Sequence, residues 1–114
     1  MKRKVFWPES DPGKYSNKRI PGMIVTSQGT IIVYYEARTT SGDWALMDIL
    51  CQRSVDGGKT FDIPVCLAAG DRTHPTANNP VMIQDKNGRI HSCTAKIMVS
   101  GMEGFCVVSA MMTA

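Results

Sequence analysis

The chain has 114 residues, 43% of them hydrophobic and 20% charged, with 13 basic against 10 acidic side chains and a formal net charge of +3. That composition supports a packed core and excludes general disorder, and no stretch approaches the ~20 apolar residues of a membrane span. The weak basic excess argues against nucleic acid as a partner. Met1-Lys2-Arg3-Lys4 has the basic character of a signal-peptide start, but Pro8-Glu9-Ser10-Asp11-Pro12 interrupts any apolar run after it. The expectation is therefore no export signal and a cytoplasmic rather than secreted chain.

Residues 1–18 read as a polar lead-in. Ile20 to Thr26 reads as a strand, Ser27-Gln28-Gly29 as a tight turn, and Thr30 to Glu36 as a second strand, the densest β-branched and aromatic run in the chain. A polar loop from Ala37 to Asp43 precedes a third strand, Trp44 to Ser54. A turn at Asp56-Gly57-Gly58-Lys59 leads into an outer fourth strand, Phe61 to Leu67. After a loop from Gly70 to Asn78, Pro80-Val81-Met82-Ile83, the turn Asp85 to Gly88 and Arg89-Ile90-His91 repeat the strand, turn, strand rhythm. Four antiparallel strands followed by the start of another set give a repeat of about 50 residues, the size of a β-propeller blade. No segment from Arg19 to His91 has a helical period.

Cys51, Cys66, Cys93 and Cys106 form no C-x-x-C pair, so no zinc site is expected, and without an export signal they read as buried free thiols. His74 and His91 lack a third partner at ligand spacing. Neither a metal nor another cofactor is expected.

Ser54-Val55-Asp56-Gly57-Gly58-Lys59-Thr60-Phe61 satisfies the Asp-box pattern S-x-D-x-G-x-T-W/F through Ser54, Asp56, Gly58, Thr60 and Phe61. In such a hairpin turn the Asp carboxylate accepts backbone N–H bonds, and glycine supplies a left-handed φ. The box is a structural staple, not a catalytic group. Upstream, Arg19-Ile20-Pro21 resembles the [FY]-R-I-P motif of the sialidase (exo-α-sialidase, neuraminidase) superfamily, with Lys18 in place of the usual aromatic. Glu36-Ala37-Arg38, Asp43 and the Asp-box follow in the order of that family's first blade. Asn79-Pro80-Val81-Met82 with Asp85, Gly88 and Ile90 is similar to the opening of its next blade. The resemblance covers residues 19–91.

The resemblance implies an all-β fold: a fragment of a six-bladed β-propeller, about one blade plus the start of the next, from the N-terminal part of the domain. It implies hydrolysis of terminal α-linked sialic acid from glycoconjugates with retention, and a sialylated glycan as partner. Arg19 would belong to the arginine cluster that holds the sugar's carboxylate, because a planar guanidinium fork matches a carboxylate in two parallel bonds. Arg38 would sit beside it, and Asn79 would touch the sugar's hydroxyls or serve as a buried turn amide. Asp43 matches the loop acid/base residue, which a desolvated sugar could raise in pKa; its plain reading is a Gly-Asp turn carboxylate. Asp48, inside an apolar run, reads as a strand-face acid.

Sialidases attack with a tyrosine assisted by glutamate, and Tyr15, Tyr34 and Tyr35 all lie too early to match it. The site is therefore expected to be incomplete here. The alternatives are a non-catalytic glycan- or protein-binding module and a truncated product without function. An open fragment would expose strand edges and self-associate.

Residues 92–114 form an atypical tail holding Met98, Met102, Met111 and Met112, half of the chain's 8 methionines. Methionine has a single codon, so Met111-Met112-Thr113 read one nucleotide upstream forces Asp-Asp, and residues 109–114 can then encode Ser-Asp-Asp-Asp-Gly, the opening of a second Asp-box. The tail is accordingly expected to be translated out of frame, the alternative being a divergent terminal strand pair.

Overall fold

A computed structural model describes residues 3, 13–97 and 104–111, the last segment by its backbone. Most of the lead-in and Met98, Met102 and Met112 of the tail lie outside the described residues. The described chain is all β: β1 (Asn17–Val25), β2 (Ile31–Arg38), β3 (Met47–Ser54), β4 (Val65–Ala68), β5 (Thr76–Gln84), β6 (Ile90–Ile97) and β7 (Gly104–Met111). Strands β1 to β4 form an antiparallel blade in chain order, with β4 on its outer edge against β3. Strands β5 to β7 form a second antiparallel set, joined to the first by one parallel bridge, Met47 to Thr76. The seven strands do not close into a barrel or a ring.

Several boundaries differ from those read in the sequence. Strand β2 extends through Ala37 and Arg38, which the sequence assigned to a loop, because both continue the ladder opposite Asp48 and Met47. Strand β3 starts at Met47 rather than Trp44, after Thr39 and Leu46 close the loop mouth through a backbone bond. The outer strand is confined to Val65–Ala68, since Pro64 lacks the N–H needed to extend the ladder. Asn78 lies inside β5, not in the preceding loop, and β6 runs across position 91 to Ile97. Cys51 is a buried free thiol, as expected, whereas Cys66 is free but exposed on the outer strand and Cys93 is disulfide-bonded. Spacing alone gives no view of which cysteines neighbouring strands bring together.

The core lies between the two sets of strands. Strand alternation puts Ile32 and Tyr34 of β2 and Cys51 of β3 on one face of the first blade, where they pack with Met82 and Ile90 of the second. Gly22 makes the close approach of Tyr34 possible: a Cβ there would lie 2.3 Å from the ring. The opposite face carries a smaller cluster of Tyr15, Tyr35, Ala37 and Leu50.

The two sets repeat each other in backbone detail. At one constant offset Pro21 matches Pro80, Met23 matches Met82, Gly29 matches Gly88 and Ile31 matches Ile90. Both first strands carry a bulge, at Arg19/Gly22 and at Asn78/Val81. At each bulge the residue before proline has positive φ, 52° at Ile20 and 50° at Asn79. Gly29 and Gly88 take the left-handed position of the following turns, at 84° and 85°.

Candidate functional site

The Asp-box is built as its residue types require. Asp56 accepts from the backbone N–H of Lys59 and Thr60 at 3.0 and 2.9 Å and from the Thr60 hydroxyl at 2.5 Å. Ser54 Oγ donates to Asp56 and accepts from the Gly58 N–H at 2.9 Å. The Thr60 hydroxyl first, then the Thr60 N–H and Ser54, hold the Asp56 carboxyl far below the usual carboxylate range. Gly57 and Gly58 take φ of 75° and 88°, which bulkier residues adopt only under strain. The box secures the β3–β4 connection and contributes no reactive group.

At the other end of β2, the period-2 alternation of a strand puts Glu36 and Arg38 on the same face as Tyr34. Both are buried, with side-chain exposures of 1% and 5%. Arg38 donates from Nε and Nη2 to one Glu36 oxygen at 2.9 and 2.6 Å. The other Glu36 oxygen accepts the backbone N–H of Asn79 at 2.9 Å. Glu36 thus ties the Arg38 guanidinium to the first strand of the second set. The positive φ of Asn79 is the turn of the chain at the point where this N–H reaches Glu36.

The third guanidinium nitrogen, Nη1, points outward. It donates to the Gly42 carbonyl at 3.2 Å and to Asp43 Oδ1 at 2.8 Å. The same Asp43 oxygen lies 3.8 Å from Arg19 Nη1. One carboxylate oxygen is therefore shared by two arginines. The side chains of Asp43 and Arg19 are 77% and 52% exposed, so the arrangement opens to solvent. Arg19 borders the bulge containing Ile20, whose positive φ is an outlier for a β-branched residue. Bulges of this kind re-aim side chains and collect at sheet rims and binding sites.

The electrostatics follow from these contacts. The Arg38 hydrogen bond and charge, with a smaller pull from Arg19, lower the Asp43 pKa below its ordinary value. Burial works against the charge on Arg38, but the bonds from Asp43 and Glu36 outweigh it and raise its pKa. In the unliganded arrangement Asp43 is a carboxylate, paired and exposed. The raised pKa expected of an acid catalyst is not a property of this state, because Arg38 and, less strongly, Arg19 favour the charged carboxylate.

All four residues singled out in the sequence, Arg19, Arg38, Asp43 and Asn79, gather around Glu36. Asn79 reaches the cluster through its backbone N–H. Glu36 itself was quoted in the sequence but given no role. The available signal was its two-residue spacing from Arg38, which places both on one strand face. Asp48 lies on the opposite face of the blade, where it accepts from the Tyr15 hydroxyl and from the Gly70 N–H, the latter at 2.9 Å. The Tyr35 hydroxyl donates to Gln52 at 2.9 Å. Among the described residues no cluster of three or more His, Cys, Asp or Glu could hold a metal ion, and no helix is long and apolar enough to cross a membrane.

No family model matches the sequence. A sialidase from Micromonospora viridifaciens is 37% identical over 62 residues, 54% of this chain and 10% of that protein. Among solved structures, the intramolecular trans-sialidase of Ruminococcus gnavus in complex with oseltamivir carboxylate superposes with a TM-score of 0.66 at 20% identity, over 80% of this chain and 23% of that one. The NanB sialidase of Streptococcus pneumoniae gives 0.67 at 17% identity over 82% of this chain and 18% of its own. A leech intramolecular trans-sialidase complexed with 2,7-anhydro-Neu5Ac gives 0.65 at 21%, again over 82% and 18%. The fold is that of a piece of a sialidase propeller, and the chain spans about a tenth to a quarter of the length of these proteins.

Proposed function

We propose that this sialidase-like chain supplies one wall of a site for terminal sialic acid, and that a complete propeller built on it hydrolyses the sugar's α-glycosidic bond with retention. The observation that carries this reading is the Asp43 carboxylate held between Arg19 and Arg38. Two guanidiniums already converge on one carboxylate oxygen, and Glu36 fixes the geometry of the buried one. A ligand carboxylate that reaches the two arginines displaces Asp43 and takes its bonds. Freed from both arginines and covered by the sugar, the Asp43 carboxyl rises in pKa and can protonate the departing glycosidic oxygen. Asn79, tied to Glu36 through its backbone N–H, is the candidate for contact with the sugar's hydroxyls.

This chain's own residues bind, orient and donate a proton; they do not attack the anomeric carbon. Tyr15 and Tyr35 are hydrogen-bonded to Asp48 and Gln52, and Tyr34 is packed between the two sets of strands. The nucleophilic tyrosine, its glutamate and further arginines belong to blades beyond this sequence. We also hold that the tail is read out of frame, so that the bases encoding residues 92–114, read one nucleotide upstream, lead into that continuation. The cytoplasmic placement read from the sequence and the disulfide at Cys93 pull in opposite directions, because disulfides persist in oxidising compartments.

The test uses a fluorogenic sialoside. The 114-residue chain should release no fluorophore above buffer. The frame-restored longer polypeptide should be active and should lose roughly 100-fold or more in kcat on Asp43→Ala, the scale of a missing general acid. Lack of a sialidase-like continuation at the locus, or full activity of Asp43→Ala, overturns the enzymatic reading and leaves a non-catalytic glycan-binding module.

A further inference from the structure

We propose that the buried Tyr15–Asp48 pair is a positioning device that holds Arg19 and Arg38 from the opposite face of the blade, a role that rests on the reading of those arginines as a carboxylate clamp. Residues 13–16, which read from the sequence as part of a polar lead-in, thereby belong to the support of the site.

Asp48 is an acid that neither the Asp-box nor the arginine cluster uses. It is 5% exposed, and burying a carboxylate is costly unless its oxygens are bonded. One oxygen accepts the Gly70 N–H at 2.9 Å. The other accepts the Tyr15 hydroxyl and lies 3.3 Å from Lys14 Nζ. Tyr15 is itself buried and packs with Tyr35, Ala37 and Leu50. Burial first, and then the bond to Asp48, raise the Tyr15 pKa, so its hydroxyl remains a donor at neutral pH.

The topology decides what this bond does. The sheet runs β1-β2-β3, Tyr15 precedes β1 and Asp48 is on β3, so the bond crosses β2. It crosses beside Ala37, which stands opposite Asp48 in the ladder and is fully buried. The next residue is Arg38, whose side chain takes the other face. Ser16, adjacent to Tyr15, donates its N–H to the Arg38 carbonyl at 3.0 Å and its hydroxyl to the Thr39 carbonyl at 2.9 Å. The backbone that carries Arg38 is thus fixed by the segment that Tyr15 anchors.

Arg19 depends on the same anchor. The bulge at Arg19/Gly22 interrupts β1, so Asn17, Lys18 and Arg19 pair with the end of β2 as a short stretch of their own. Short stretches at strand ends open locally at little cost. The Tyr15–Asp48 bond closes this one by tying the chain ahead of Asn17 to β3. It therefore sets the position of both guanidiniums around Asp43, to which Arg38 and Arg19 lie at 2.8 and 3.8 Å.

Nuclear magnetic resonance on the 114-residue chain tests this without a ligand. One readout is the titration of the Asp43 carboxyl, which Arg38 and then Arg19 hold below its ordinary 3.8. The other is solvent exchange of the Arg38 Nε–H at neutral pH, compared with that of the Gly58 N–H in the Asp-box. Tyr15→Phe keeps the ring in its cluster and removes only the hydroxyl. It should move the Asp43 pKa up towards 3.8 and speed Arg38 exchange about tenfold, the scale of one lost buried hydrogen bond, with Gly58 at the parent rate. Asp48→Ala should do at least as much, and Asp48→Asn, which can still bond Tyr15 and Gly70, should fall between the parent and Tyr15→Phe. If Asp48→Ala does not fold, Tyr15→Phe decides. Equal acceleration at Arg38 and Gly58 overturns the proposal in favour of a general contribution to stability. An unmoved Asp43 titration with unmoved Arg38 exchange overturns it outright. No sialoside is present, so either result is distinct from failure of the clamp reading, which the fluorogenic assay measures.

Discussion

Replacing Glu36 with alanine removes the buried carboxylate that holds Arg38. In the parent, Glu36 accepts two bonds from the guanidinium, at 2.9 and 2.6 Å, and a third from the Asn79 N–H. Alanine leaves a guanidinium that is 5% exposed holding only the Gly42 carbonyl and Asp43, and leaves the Asn79 N–H without its acceptor. Breaking one side of a buried pair costs about 3–5 kcal/mol, because the remaining charge stays desolvated. Asp43 still partners the outer nitrogen, so the lower end, about 3 kcal/mol, is the expected loss. Small domains are stable by only about 5–15 kcal/mol, so this is a large fraction of the total. Urea unfolding followed by far-UV circular dichroism measures it, with Glu36→Ala/Arg38→Ala completing a double-mutant cycle. The double variant should lose less than the sum of the single losses, since it leaves no orphaned charge. A loss of about 1 kcal/mol or less for Glu36→Ala, the value of an exposed pair, would refute the claim that Glu36 is the buried anchor of this site.

Gly22→Ala should destabilise by about 1–3 kcal/mol, the range for overpacking a core, because its Cβ would lie 2.3 Å from the buried Tyr34 ring; unchanged urea midpoints would contradict that packing. Asp56→Asn should lower the melting temperature at pH 7. Asp56 has a folded-state pKa depressed below the ordinary 3.8, so its stabilisation is present above that value and is lost as pH falls towards the folded pKa. The gap between parent and Asp56→Asn should accordingly narrow below about pH 4, and a constant gap would count against the carboxylate's role. Burial pushes the Cys51 thiol up to about 11, whereas Cys66 is exposed on the outer strand. Native-state alkylation at pH 8 should label Cys66 ahead of Cys51, and mass-mapped labelling of Cys51 first would contradict the core assignment.

The sequence by itself determined those features whose interactions are local. The Asp-box was legible because the partners of Asp56 all lie within four residues of it, and the Gly29 turn because one residue type satisfies its backbone. The order of Arg19, Arg38, Asp43 and Asn79 carried the family resemblance and selected the residues that gather at the end of β2. Tertiary structure decided what depends on partners distant in the chain. Glu36 is an anchor only because β5 returns to cover the face on which it lies, 43 positions away from Asn79. The sequence reading stopped β2 at Glu36 because Ala37 to Asp43 is polar in composition, yet opposite Asp48 and Met47 the ladder continues through Arg38. The disulfide at Cys93 and the positive φ of Ile20 have the same origin: local preference opposes a left-handed isoleucine, and only the surrounding sheet holds it in place. Which apolar faces are buried was likewise a tertiary outcome: Met82 is 4% exposed beneath the first blade, whereas Met23 and Ile83, on the outward faces of the two sets, are each 61% exposed.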